Sequence, residues 1–135
     1  MVKVLVATSP EPRAVIERML ARHELSCAET LAQAEQFLRE RTFDLIICTI
    51  AFDESKLFEF LQLAKSRPES QPLPFVAARV RAHILRSSTA LRDAAFTCRT
   101  LGAEAFLDIA DYQVDPEREM REAIERLLDK NVAKE

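Results

Sequence analysis

The chain has 135 residues, 48% of them hydrophobic, with 19 basic and 22 acidic side chains for a net charge of −3. That length suits one domain, residues 1–135, burying roughly 65–70% of the surface an unfolded chain exposes, and the near-balanced charge excludes a chain-wide basic footprint for nucleic acid. Cys27, Cys48 and Cys98 have no paired or CxxC spacing and fall in apolar segments, and the N-terminal apolar run is too short for a signal peptide or a membrane span, so the sequence reads as a cytoplasmic protein with free thiols and no membrane contact.

Short β-rich runs alternate with segments of helical period. Val2 to Ala7 is predicted as a first strand, followed by a helix in which Val15, Ile16, Met19 and Leu20 recur at helical spacing and which ends near His23. Pro10 and Pro12 fit its first turn, where backbone N–H groups lack partners in any case. Leu25 to Ala28 is a weaker second strand. Thr30 followed by Gln33 is a capping-box start for a second helix that turns Leu31, Ala34 and Leu38 inward. Phe43 to Ile50 is the third strand, and Ser55 to Ser66 a helix with Leu57, Phe58, Leu61 and Ala64 on one face. The proline-bearing loop Arg67 to Pro74 leads into strand four, Phe75 to Arg79. A fourth helix runs from Ser88 toward Leu101, stopped by Gly102, the only glycine in the chain and a natural left-handed C-cap. Ala105 to Ile109 is strand five. Asp115-Pro116 then starts a last helix with Met120, Ala123, Ile124, Leu127 and Leu128 as its apolar stripe and Glu117/Arg121 and Glu122/Arg126 as outer ion pairs.

Five strands alternating with five helices imply a flavodoxin-like α/β fold, an open, doubly wound parallel sheet covered on both faces by right-handed crossovers. Ligands in such folds gather at the carboxyl ends of the strands. Those ends carry Thr8 and Ser9 after strand one, Thr49 after strand three, Arg79 after strand four and Ile109 in strand five.

In order and spacing these segments resemble the receiver domain of bacterial two-component response regulators over nearly the whole chain. Lys3-Val4-Leu5-Val6 resembles the first strand of that family, Asp44-Leu45-Ile46-Ile47-Cys48 the third, Pro74-Phe75-Val76 the fourth, and Leu101-Gly102-Ala103 with Phe106-Leu107 the lead into the fifth. The family's chemistry requires an acidic pair after strand one to hold Mg²⁺, an acceptor aspartate ending strand three, a threonine or serine ending strand four and a lysine in strand five. This sequence has Thr8 and Ser9, Thr49, Arg79 and Ile109 at those positions. The resemblance therefore implies a degenerate receiver, a pseudo-receiver without metal, cofactor, aspartyl phosphorylation or catalytic turnover, since neutral hydroxyls are poor ligands for Mg²⁺ and an unactivated threonine is a poor nucleophile. Asp53 and Glu54 lie where family members carry a Pro-Gly turn and read as N-terminal acids of the third helix. Phe106 occupies the place of the family's switch aromatic and is expected to be a fixed core residue.

A second reading keeps the strand-end site and changes its ligand. Hydroxyls of Thr8, Ser9 and Thr49 beside the Arg79 guanidinium suit an anion or a nucleotide, although a loop with two prolines and no glycine lacks the amide donors of a phosphate cradle. The fourth helix carries a separate signal. Its phase turns Leu91, Ala94, Ala95, Cys98 and Leu101 inward and Phe96 outward, flanked by Arg92 and Arg99. An outward aromatic ringed by arginine is enriched at interfaces, and in receivers this helix contributes to the usual output and dimerisation face. The sequence thus reads as a stand-alone, phosphorylation-independent signalling module that binds a signalling protein or a second copy of itself, with no contact to nucleic acid or membrane.

Overall fold

The computed structural model describes residues 1–82, 84 and 87–133. Five parallel strands, β1 (Lys3–Ala7), β2 (Glu24–Ala28), β3 (Leu45–Thr49), β4 (Phe75–Arg79) and β5 (Ala105–Asp108), form one sheet in the order β2-β1-β3-β4-β5. The helices are α1 (Pro10–Met19), α2 (Leu31–Glu40), a short α3 (Phe52–Ser55), α4 (Leu57–Ser66), α5 (Ser88–Thr100) and α6 (Pro116–Ala133). This is the expected doubly wound α/β architecture. No described helix is long and apolar enough to cross a membrane.

Side-chain alternation along the strands divides the core in two. Leu5, Ala7, Ile46, Cys48, Phe75 and Ala77 face α2, α4 and α5, while Val4, Val6, Leu45, Ile47, Val76 and Ala78 face α1 and α6. The central strands β1, β3 and β4 are buried on both faces, which is why they read as continuous apolar runs. Edge strands β2 and β5 are half-buried, the first of them as its weaker pattern implies. Phe52, Phe60 and Phe75 form a ladder of tilted rings 5.7 and 5.6 Å apart under the first of these layers. The capping box at α2 forms: Thr30 Oγ1 accepts from the Gln33 N–H at 3.1 Å, and the Gln33 side chain reaches back to the Glu29 N–H at 2.9 Å.

Four local expectations need correction. The first helix stops at Met19, and a turn closed by the His23 N–H on the Leu20 carbonyl replaces its last residues. β5 ends at Asp108, so Ile109 opens a 3-10 turn, Ile109–Asp111, in which the Ala110 N–H donates to the Asp108 carboxylate at 3.0 Å. The segment read as the beginning of the third helix is instead α3, a turn in which Asp53, Glu54 and Ser55 all have positive φ (44°, 55° and 68°). On α6, Glu117 leaves Arg121 for Arg18 of α1 (2.6 Å), Arg121 pairs with Glu125, and Glu122 lies 3.9 Å from Arg118 in place of Arg126. Tertiary proximity offers Glu117 a bidentate partner that an intrahelical neighbour does not.

Candidate functional site

The carboxyl ends of β1 and β3 meet through their first polar residues. Register pairs Ala7 with Cys48, so the next residues, Thr8 and Thr49, sit side by side on the face toward α1 and α6. Both are fully buried. The Thr49 hydroxyl donates to Thr8 Oγ1 at 3.0 Å, and the Thr8 hydroxyl in turn donates to the Ser9 carbonyl at 3.0 Å. The two protons are thus used internally, in a pair that needs neither a charge nor a ligand to satisfy it. Ser9, half-buried, caps α1 by backbone position alone, without a side-chain hydrogen bond.

Arg79 is not part of this group. Alternation places it on the opposite face of the sheet, and register sets it beside Asp108, a carboxylate the sequence reading passed over. Arg79 Nη1 donates to both oxygens of Asp108, at 2.8 and 3.0 Å, Nε donates to the Ile84 carbonyl at 2.7 Å, and Nη2 donates to the Ala82 carbonyl. Only 7% of the Arg79 side chain and 15% of Asp108 remain exposed. The guanidinium therefore ties β5 and the loop after β4 to the sheet, and it is not presented to Thr8 and Thr49. Ile109 packs as a half-buried residue against the α1/α6 layer of the core. Phe106 packs, also half-buried, against the opposite layer.

Asp53 has a role that spacing alone does not reveal. Its Oδ2 accepts the Leu31 N–H at the start of α2 at 2.8 Å, and its Oδ1 lies 3.5 Å from Lys56 Nζ. It thus caps a helix 22 residues earlier, and does not serve as an N-terminal acid of its own helix. The left-handed turn that places it there costs about 1–2 kcal/mol per non-glycine residue, offset by this cap and by the complete burial of Phe52.

His23 is remote from the strand ends: its Nδ1 accepts the Val2 N–H at 3.2 Å and its Nε2 faces Glu125 at 3.2 Å. His83 lies outside the described residues. Burial pushes the Cys48 thiol well up and the Cys98 thiol up to about 11, so both are protonated and unreactive at neutral pH. Cys27 is only half-buried, and desolvation raises its thiol as well.

On α5 the phase expected from the sequence holds. Phe96 is 72% exposed, with exposed Arg92 and Arg99 beside it, while Ala94 and Cys98 are buried. Phe96→Ala is expected to change folding stability by no more than about 0.5 kcal/mol in urea denaturation; a loss near the 3–5 kcal/mol of a core phenylalanine would mean that the ring is buried by its own chain in solution.

No protein-family model matches the sequence, and no curated protein matches it. Solved structures do. The signal receiver domain of a signal transduction histidine kinase from Syntrophus aciditrophicus superposes with a TM-score of 0.74 at 18% identity, over 96% of this chain and 92% of that one. A CheY-like response regulator receiver domain protein from Methanospirillum hungatei gives 0.72 at 17% identity over 98% of each chain. The receiver domain of a sensor histidine kinase from Pseudomonas aeruginosa, which has a magnesium ion coordinated in its active-site cleft, gives 0.69 at 16% identity over 98% of each. The fold is that of response-regulator receiver domains.

Proposed function

We propose that this chain is a receiver-like signalling module that works without phosphorylation, through contact with another protein. The observation that carries the reading is the closed Thr49–Thr8 hydroxyl pair at the strand ends, where a receiver with this fold needs carboxylates. Mg²⁺ does not fit the donors there. It favours anionic oxygens in near-octahedral array, and Thr8, Ser9 and Thr49 bring three neutral hydroxyls, two of them bonded in one chain. Asp53 in the turn after β3 and Asp108 at the end of β5 are already engaged, the first on the α2 amide and Lys56, the second on Arg79. Among the described residues no three His, Cys, Asp or Glu side chains gather as a metal site. Among the described residues the Thr49 hydroxyl meets no base to activate it and donates its hydrogen bond to Thr8 Oγ1.

Anion binding by Thr8, Ser9, Thr49 and Arg79 together loses its charged member, because Arg79 faces Asp108 on the other side of the sheet. What remains accessible is surface, and its most distinctive feature is Phe96 with Arg92 and Arg99, an aromatic anchor of the kind that dominates interface energetics. Incubation with Mg²⁺ and acetyl phosphate is expected to leave the intact mass unchanged. A stoichiometric phosphoryl adduct would overturn the reading.

A further inference from the structure

His23 stands in the turn between α1 and β2, at the amino end of the sheet, with a side chain only 8% exposed. Its hydrogen bonds fix where its proton sits. The Val2 N–H donates to Nδ1 at 3.2 Å, so the single N–H of the neutral ring is on Nε2, which donates to Glu125 Oε2 of α6 at 3.2 Å. We propose that His23 is an acid-sensitive latch, which joins the start of β1 to α6 while the ring is neutral and lets go of Val2 when the ring is charged. The inference is independent of the protein-contact reading above.

The charged ring carries a proton on each nitrogen. Nε2–H keeps Glu125, but Nδ1–H then faces the Val2 N–H, donor against donor. The ring is packed, and its own backbone N–H is tied to the Leu20 carbonyl, so the partner that yields is Val2, half-buried near the chain end. Release stays local, because the Glu24 N–H holds the Val2 carbonyl at 2.9 Å and the Lys3 N–H holds Asp44 at 2.9 Å. The charges around the ring come from two sides. On α6, Glu125 faces it and is shared with Arg22 of the turn at 3.0 Å and Arg121 at 3.7 Å, with exposed Asp129 one helical turn beyond. From the sheet, alternation turns Lys3 and Glu24 to the opposite face, and the Met1 amino group adjoins Val2 along the chain. Imidazole is the side chain that gains its charge between about pH 8 and pH 5, where an α-amino group also titrates, so the test needs a variant without the imidazole.

NMR of the ring nitrogens and of the backbone amides tests it on the wild-type chain. At neutral pH the ring proton is expected on Nε2, with Nδ1 bare. As pH falls and Nδ1 takes up a proton, the Val2 amide is expected to lose protection from solvent exchange about tenfold, the worth of one hydrogen bond. The midpoint of that loss is expected to match the titration of the ring, while the Glu24 amide keeps its protection. His23→Asn sets an amide oxygen near the place of Nδ1 and has nothing to titrate, so it is expected to hold Val2 equally across the range; should asparagine not reach Val2, the wild-type titration decides alone. Glu125→Gln removes the anion that favours the charged ring and is expected to move the midpoint to lower pH. A proton on Nδ1 at neutral pH overturns the proposal. So does a ring that stays neutral down to about pH 5, a Val2 amide that keeps its protection while the ring charges, or an equal acid-dependent loss in His23→Asn, which would assign the effect to the Met1 amino group or a carboxylate. A midpoint that Glu125→Gln leaves in place overturns the link to α6.

Discussion

Arg79→Ala is expected to lower the stability of the fold by about 3–5 kcal/mol, the cost of stranding one partner of a buried ion pair. The guanidinium saturates both Asp108 oxygens and two loop carbonyls, those of Ile84 and Ala82, from a side chain only 7% exposed. Its removal leaves a carboxylate at the end of an edge strand without a cation and two carbonyls without donors. Arg79→Lys retains the charge and loses the fork, so it is expected to fall between wild type and alanine. Urea denaturation with a wild-type reference measures both. A loss below about 1 kcal/mol for alanine, the usual worth of a surface pair, would mean that the pair is solvated and the guanidinium free. In that case millimolar phosphate should raise the melting temperature in an Arg79-dependent way by mass action. With the pair intact, phosphate is expected to leave the melting temperature unchanged.

The features legible in the sequence are those set by local chemistry. Strand four was readable to the residue because Pro74 fixes its start and Phe75 to Ala78 is an uninterrupted apolar run, buried on both faces as a central parallel strand must be. The α2 start was readable because Thr30 and Gln33 lie within reach of each other along the chain. Where partners are distant the sequence was silent. Nothing near Asp53 announces that it caps α2, and no glycine marks the left-handed turn that carries it there. Asp108 escaped notice because its meaning lies in the register that sets it beside Arg79. Extending β5 by one residue, to Ile109, hid that pairing. Glu117 was given to Arg121 by the i,i+4 rule, while the packing of α1 against α6 gives it to Arg18.

Thr49→Asp restores the acceptor a receiver needs and is expected to yield neither phosphorylation nor metal binding, at a cost of about 3 kcal/mol for an uncompensated buried charge. The position is 1% exposed beside a neutral hydroxyl, and its would-be cationic neighbour is isoleucine at 109 while Arg79 is held by Asp108. Desolvation will raise the folded-state pKa of the new carboxyl above its unfolded value of about 3.9. A group whose proton is held more tightly in the folded state destabilises most above that raised pKa, and the penalty fades as pH falls toward the unfolded value. The stability gap to wild type is therefore expected to be widest near neutral pH and to close in acid. Mg²⁺ should not narrow it, because Thr8 and Ser9 add no negative charge to the new one. If Mg²⁺ did restore stability at neutral pH, or acetyl phosphate then modified the variant, a single carboxylate would be enough to rebuild the receiver pocket. The hydroxyl pair would then be one substitution from phosphorylation chemistry, and phosphorylation-independent signalling would rest on Thr49 alone.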